Sequence, residues 1–175
     1  MLMMRTDTKL IVDVQDLLAR HGIRKHHRVD EPVDGVSLEL ARVEASQPLH
    51  FDLVLEAIEG DAVVVQGPIS GTYTEVCRRC LEESERSLRC EVREVFRPPA
   101  DVWEEGYVVF EEKVDLRPMV RDNVLLALPP DPLCREDCRG LCTRCGTNRN
   151  FDTCDCTVDE PDPRWAALRE LLEES

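Results

Sequence analysis

The residues best suited to chemistry are nine cysteines, six of which lie between Cys134 and Cys156. Within this cluster, Cys142 and Cys145 form a C-x-x-C pair followed by Gly146. Two residues between thiolates allow both sulfurs to point at one ion, and structural zinc sites take four such ligands. A C-x-C pair at the end of the cluster supplies two more sulfurs. The spacing therefore predicts a local four-cysteine metal site, formed by Cys142, Cys145, Cys154 and Cys156.

A second C-x-x-C pair, Cys77 and Cys80, follows a predicted strand in the middle of the chain. Cys134 and Cys138 remain unassigned in the cluster, so they can complete a second metal site that fastens the C-terminal segment to the sheet. The spacing also permits Cys77 and Cys80 to bind one ion together with Cys142 and Cys145, as in a two-knuckle zinc ribbon. Cys90 lies on the apolar face of an alternating strand and is predicted to be a small buried hydrophobe.

Structural zinc, as one or two ions, is the favoured interpretation of these cysteines. The segment Met1 to Val14 contains no apolar run long enough for a signal peptide, which predicts a cytoplasmic protein without a membrane span. Disulfides are rare in that reducing compartment. An iron–sulfur cluster also accepts four cysteines, and Arg78 and Arg79 could activate a redox thiol. Redox chemistry, however, does not require eight cysteines in two sets of four.

The charge of the chain points to a basic partner. It carries 36 acidic and 22 basic residues, for a net charge of −14. Binding through nucleic-acid phosphates normally needs a surplus of Lys and Arg, whereas an acidic surface attracts basic proteins. The stretch 101–115 is strongly acidic, and the one notable basic stretch, Arg20–Arg28, is predicted to be a loop.

The chain offers no catalytic constellation, so we predict that it is not an enzyme and has no small-molecule substrate. Four-cysteine sites are closed, whereas a catalytic zinc keeps a free position. The four histidines all lie in the N-terminal third without a metal-binding pattern: His21, His26, His27 and His50. Neither a phosphate-binding glycine loop nor a nucleophile elbow is present.

The elements that position the cysteines are predicted to be mostly strands. Phe51, Leu53, Leu55 and Ala57 alternate with Asp52, Val54, Glu56 and Ile58, which is the period of a strand whose second face is polar at its start. A turn at Gly60-Asp61 follows, and Gly67-Pro68 is predicted to break the next strand. The other predicted strands are Lys9–Val14, Val63–Gln66, Ile69–Val76, Leu88–Val92 and Tyr107–Phe110. Consecutive strands with short turns predict an antiparallel β-meander.

One helix is predicted after the sheet and a second in the tail. Asp115 can cap a helix that ends near Leu128, with Pro118 in its tolerant first turn. Its predicted apolar face is Leu116, Val120, Val124, Ala127 and Leu128. Asp162-Pro163 would open a short helix with Trp165, Leu168 and Leu172.

These patterns together predict an α+β fold: an antiparallel β-meander with one or two helices and a C-terminal zinc-knuckle-like segment. The predicted division is a mainly β domain over 1–130, a metal-binding segment over 131–158, and a short helix or tail over 159–175.

Three stretches give the chain a resemblance to the bacterial YceD family of large-subunit ribosomal RNA accumulation proteins. They are Glu75–Leu81, Asp115–Pro129, and Pro132–Gly146 with Asn150 and Cys154-Asp155-Cys156 after it. The resemblance implies a role in the synthesis, processing or accumulation of large-subunit ribosomal RNA, without a known catalytic activity. It also implies the pre-ribosomal large subunit as the partner.

The negative net charge favours a basic ribosomal protein as the direct partner, and the acidic stretch 101–115 is expected to contact it. Any contact with ribosomal RNA is then expected to be local. The competing hypothesis is an RNA-binding zinc-knuckle protein that uses Arg20–Arg28 and the arginines near the cysteines: Arg78, Arg79, Arg135, Arg139, Arg144 and Arg149. Knuckles that bind RNA usually stack bases on aromatic side chains, and only Phe151 lies inside the cluster. A redox-sensitive zinc switch is a third hypothesis.

Overall fold

A computed structural model describes residues 8–20, 22–99 and 106–156. The described residues form eight strands and two helices, a mixture that agrees with the α+β class. The elements are β1 (Ile11–Asp13), α1 (Gln15–Ala19), β2 (Arg24–Glu31), β3 (Ala41–Arg42), β4 (Leu49–Ile58), β5 (Ala62–Val76), β6 (Glu83–Arg97), β7 (Tyr107–Phe110), β8 (Lys113–Asp115) and α2 (Arg117–Ala127). The strands predicted at Lys9–Val14 and Tyr107–Phe110 are thus confirmed as β1 and β7.

All the strands belong to one sheet, in the order β1-β8-β7-β6-β5-β4-β2, with β3 beside β5. Neighbours are antiparallel except β6 and β7, which are parallel. The sheet curls so that side chains connect its two end strands. The Thr8 hydroxyl lies 3.0 Å from a carboxylate oxygen of Glu31, and Lys25 Nζ donates to the Asp13 carbonyl oxygen over 2.8 Å.

The main hydrophobic core lies inside this curl. The inward residues of β4 are those predicted from its alternation, and Phe51, Leu53 and Leu55 are fully buried. Helix α2 closes the core with Met119, Val120 and Val124. The two long strands β5 and β6 extend beyond this core, and the C-x-x-C pair of residues 77–80 joins them there.

The N-cap of helix α2 is Leu116, one residue after the predicted cap Asp115, and Leu116 makes no side-chain cap bond. An Asp115 carboxylate oxygen accepts the backbone N–H of Arg117 over 3.0 Å, which satisfies one of the free donors at the helix start. The predicted apolar face is wrong at one position, because Ala127 is exposed at the last helical residue. Met119, which was not predicted, is fully buried instead.

The predicted break at Gly67-Pro68 is wrong, since β5 continues through both residues to Val76. Pairing with β6 is uninterrupted there, as Gly67 faces Val92 and Pro68 faces Glu91. Pairing with β4 is lost at these two residues and resumes on either side in the same register. Proline lacks an N–H to donate, so it removes ladder bonds on one side of the strand without ending it.

The predicted basic loop Arg20–Arg28 is wrong over its second half, which forms the start of β2. Antiparallel pairing with β4 places its cations beside carboxylates of the neighbouring strand. Arg24 pairs with Glu56 at 2.9 Å and Arg28 with Asp52 at 2.7 Å. These basic side chains are therefore already matched by acids.

Among the described residues, no helix has the length and apolar character needed to cross a membrane. The predicted tail helix, with Trp165, Leu168 and Leu172, lies outside the described part of the chain. So does the first part of the acidic stretch, residues 101–105.

Candidate metal centre

Four cysteines meet where β5 and β6 join, and we call them the inner tetrad: Cys77, Cys80, Cys134 and Cys138. Their sulfurs all lie within 4.8 Å of one another. The Cys77 and Cys138 sulfurs are 3.8 Å apart, and those of Cys80 and Cys134 are 3.6 Å apart. Three of the four residues are buried, in a small hydrophobic cluster that is separate from the main core and includes Leu133 and Leu141 at its edge.

Four further cysteines form the outer tetrad: Cys142, Cys145, Cys154 and Cys156. Their sulfurs also lie within 4.8 Å of one another. This tetrad is the more open of the two, since Cys145 is exposed and only Cys142 is buried.

The structure groups the cysteines into the two sets of four that their spacing predicts. The two-knuckle alternative is not formed, because Cys77 and Cys80 lie with Cys134 and Cys138. Cys90 belongs to neither tetrad and packs, half-buried, against the main core, as predicted. None of the nine cysteines, all of which lie among the described residues, forms a disulfide.

The two C-x-x-C loops share one backbone pattern. In the inner knuckle (77–82), the Leu81 N–H donates to the Cys77 carbonyl oxygen, and the Cys77 N–H to that of Glu82, both over 2.9 Å. In the outer knuckle (142–147), Gly146 donates to Cys142 over 2.9 Å, and Cys142 to Thr147 over 2.8 Å. The same local fold therefore presents both pairs of sulfurs.

The residue after the second cysteine of each knuckle has a positive φ. Gly146 has φ 74° and Leu81 has φ 59°. Glycine adopts this conformation freely, whereas other L-residues lose about 1–2 kcal/mol in it. Leu81 is also 60% exposed, so its side chain recovers little of that cost by burial.

We expect Leu81→Gly to raise the free energy of unfolding of the metal-loaded protein by about 1 kcal/mol, because it removes this strain. Urea denaturation measures the change. Leu81→Ala is the matched control: it keeps the strain and should stay within about 0.5 kcal/mol of the parent. A loss of stability in Leu81→Gly would show that the leucine side chain stabilises the knuckle.

Backbone N–H groups donate to several sulfurs of the two tetrads, and Cys77 and Cys142 each accept more than one of them. Burial by itself raises the pKa of the Cys77 thiol, but backbone N–H groups that donate to its sulfur bring that pKa down to about 6. Backbone N–H groups likewise lower the pKa of Cys142 to about 6. Burial raises the pKa of Cys80 to about 12. Ionising one sulfur opposes ionisation of its neighbours, and a bound cation would remove that opposition.

The sulfur geometry fits a single tetrahedral ion. A Zn–S bond of about 2.3 Å places the corners of a tetrahedron about 3.8 Å apart. Two of the inner sulfur–sulfur distances, 3.8 and 3.6 Å, match that edge. Disulfide sulfurs lie at about 2.0 Å, far closer than any of these. The donor set of each tetrad can therefore hold a metal ion.

Three side chains outside the tetrads support the inner tetrad. Glu75 is buried and accepts from Arg86 Nε over 2.9 Å. Arg86 also donates to the Cys134 carbonyl oxygen over 3.1 Å, and Arg79 to that of Cys138 over 3.0 Å. Sequence reasoning missed Glu75 and Arg86 as a pair. Their signal was a Glu and an Arg on adjacent strands, visible only once the register is known.

Comparison with known proteins adds an independent observation. The YceD family, described as large ribosomal RNA subunit accumulation protein YceD, matches residues 65–172, which include both tetrads and α2. Uncharacterized protein Rv2926c of Mycobacterium tuberculosis is 32% identical over 172 residues, covering 93% of this chain and 81% of the relative. Uncharacterized protein Mb2951c of Mycobacterium bovis gives the same values.

A plant protein is similar over a shorter stretch. The large ribosomal RNA subunit accumulation protein YCED homolog 1, chloroplastic, of Arabidopsis thaliana is 33% identical over 63 residues, or 36% of this chain and 20% of that protein. No solved structure matches significantly. The family match spans more than half of the chain and contains every cysteine of the two tetrads, and the chain therefore belongs to the YceD family.

Proposed function

We propose that this protein is a non-enzymatic ribosome-biogenesis factor that supports the accumulation of large-subunit ribosomal RNA, and that zinc in both tetrads holds its working shape. The match of residues 65–172 to the YceD family carries this proposal. The family's description and that of the plant relative both refer to RNA accumulation rather than to a reaction. Two closed four-cysteine sites suit structural rather than catalytic zinc.

Zinc fits the tetrads better than a cluster of several irons. A cluster places iron and sulfide atoms between its ligands, so the cysteine sulfurs stand farther apart than the edge of a single-ion tetrahedron. The inner sulfur–sulfur distances of 3.8 and 3.6 Å, in a set whose sulfurs all lie within 4.8 Å of one another, favour one ion. The inner zinc would fasten the segment 131–156 to the connection between β5 and β6 through Cys77 and Cys80, whereas the outer zinc would close the outer tetrad within that segment.

A basic protein is the partner that the charge favours. The chain carries −14 with neutral thiols. A zinc ion with four thiolates contributes −2, so two loaded sites would bring the net charge to −18. Metal loading thus strengthens the attraction for a cationic ribosomal protein and weakens that for RNA phosphates.

Direct RNA binding is less well supported, because many of the basic side chains already have partners. Arg78 pairs with Asp131 at 3.0 Å. Arg135 lies 3.4 Å from Asp137, and Arg79 donates to a backbone carbonyl oxygen. To bind RNA phosphates, these arginines would have to break the contacts that they make in this structure.

The described part of the acidic stretch presents carboxylates at a tight turn between β7 and β8. Glu111 and Glu112 are exposed and have φ of 48° and 56°. Turns of this kind usually take Asn-Gly, because positive φ disfavours other residues. Phe110, beside them, is 63% exposed. We propose that this turn contacts the basic partner.

Binding to purified basic ribosomal proteins of the large subunit tests the proposal. We expect affinity to fall steeply as salt rises from 50 to 300 mM (roughly 10-fold or more), because opposite charges are screened. Glu111→Lys with Glu112→Lys should lower affinity roughly 10-fold. Glu39→Lys with Glu59→Lys, also exposed, is the control with the same charge change.

Two outcomes would contradict the proposed partner. Affinity that does not change with salt would overturn its electrostatic basis. Tighter binding of large-subunit ribosomal RNA fragments than of every ribosomal protein tested would favour the RNA-binding alternative instead.

A further inference from the structure

The loop that joins the two halves of the outer tetrad lies against the inner knuckle. This outer loop comprises residues 146–153. The Asn148 amide donates to a Glu82 carboxylate oxygen over 3.2 Å. Just before the outer tetrad, the Leu141 N–H donates to the Arg79 carbonyl oxygen over 3.0 Å. The two metal centres therefore share an interface rather than standing apart.

Asn150, in the middle of the outer loop, contacts a cysteine sulfur of the inner tetrad directly. Its amide Nδ2 lies 3.3 Å from the Cys138 sulfur, an inner ligand. Its Oδ1 accepts the backbone N–H of Arg139 over 2.8 Å and an Arg135 guanidinium N–H over 2.9 Å. One side chain of the outer loop thus both donates to an inner sulfur and holds the backbone beside it.

The outer tetrad in turn fixes the position of Asn150. The loop that carries Asn150 starts at Cys145 and ends at Cys154, so an ion in the outer tetrad closes both of its ends. The Asn150 N–H donates to the Asn148 side chain over 3.0 Å, and the Arg149 N–H to the Gly140 carbonyl oxygen over 2.9 Å. The Phe151 and Asp152 N–H groups also donate to the Asn148 carbonyl oxygen. Without the ion, hydrogen bonds alone would have to order the loop.

We propose that Asn150 is a positioning residue that couples the two metal sites, so that an ion in the outer tetrad increases the affinity of the inner tetrad. This inference rests on the proposed metal binding. An N–H directed at a metal-bound thiolate stabilises its charge and fixes its orientation, and loss of such a contact typically lowers metal affinity by about 10–100-fold. Because coupling between sites is reciprocal, an ion in the inner tetrad must increase outer affinity by the same factor.

Cobalt titration of the metal-free full chain, under reducing conditions, measures the coupling. Thiolate-to-cobalt absorption reports each tetrahedral site, and competition with a chelator gives its affinity. We expect two equivalents to bind cooperatively. Cys142→Ser with Cys154→Ser, which removes the outer site, should weaken the inner site by about 10–100-fold.

Asn150→Asp removes the hydrogen-bond donor of this side chain and keeps its acceptor. This variant keeps the shape and the oxygen that Arg139 contacts, but it loses the N–H that reaches Cys138. We expect inner affinity to fall about 10–100-fold and cooperativity to disappear. Combining it with loss of the outer site should cause little further loss, since both changes remove one coupling. Asp152→Asn, the reverse exchange at an exposed position of the same loop, is the control and should match the parent.

The alternatives give different results. Two cobalt ions bound independently, with parent affinity in Asn150→Asp, would overturn the coupling and leave the metal centres intact. Full additivity of the two changes would overturn the role of Asn150 as the coupling residue. A chain that binds no cobalt would overturn the proposed metal centres, and the coupling with them.

Discussion

Replacing Cys77 with serine is expected to abolish metal binding at the inner tetrad and to release the segment 131–156 from the β5–β6 ribbon. Structural zinc contributes about 10–16 kcal/mol of apparent binding free energy in zinc-finger peptides, which exceeds what weaker contacts supply. In this chain, the other contacts of the inner tetrad are a small hydrophobic cluster and a few hydrogen bonds. Hydrogen exchange of amides 131–156 should accelerate by at least about 100-fold, while those of β4 stay protected.

Cys90→Ser is the matched control for this prediction. It makes the same chemical change at a cysteine outside both tetrads, so metal content should be unchanged and stability should fall by about 1 kcal/mol or less. If Cys77→Ser retained two ions per chain and the parent exchange rates, the inner tetrad would not be the fastening point.

Gly67→Ala is expected to destabilise the protein by about 2–4 kcal/mol, because two costs combine. Gly67 has φ 139°, a conformation that L side chains rarely adopt. A Cβ at this position would also overlap the carbonyl oxygen of Asp52 on β4. Since β4 cannot move away without disturbing the buried Phe51 and Leu53, the ladder must distort. Urea denaturation of the full chain measures the loss.

Gly60→Ala measures the cost of the backbone conformation without the steric overlap. Gly60 also has positive φ, at 79°, but a Cβ there meets nothing within 4 Å. It should therefore lose only about 1 kcal/mol, the cost of the backbone conformation. Equal losses at the two glycines would show that the contact with β4 contributes nothing.

Local patterns in the sequence predicted the buried face of β4 and favoured the correct grouping of the cysteines. The alternation from Phe51 to Ala57 determined which face of β4 is buried, because period two admits only one inward set. Short spacings and elimination favoured the grouping of eight cysteines into two tetrads, but they left the two-knuckle alternative open.

Features that depend on neighbouring strands were not predictable in this way. The break expected at Gly67-Pro68 failed because β6 continues to pair with β5 where β4 does not. The charges of Arg24 and Arg28 looked free in the sequence, but the register of β2 against β4 places them beside carboxylates. Strand register is a tertiary property, so it overrides local signals of breaks and loops.

The contacts around the tetrads were the least predictable part of the site. Asn150 stood out only as part of a resemblance, and nothing in its spacing indicated that it reaches the Cys138 sulfur. The strain at Leu81 was equally hidden, because a leucine after C-x-x-C carries no local sign of positive φ. The contact of Asn150 depends on how the outer loop lies against the inner tetrad, and the strain at Leu81 depends on the backbone pattern of the inner knuckle itself.

The metal content of the purified full chain tests the central claim most directly. Elemental analysis, after removal of loosely bound ions, should give two zinc ions per chain. That result would match two tetrads whose sulfurs each lie within 4.8 Å of one another. A folded chain that contains no tightly bound metal would contradict the account.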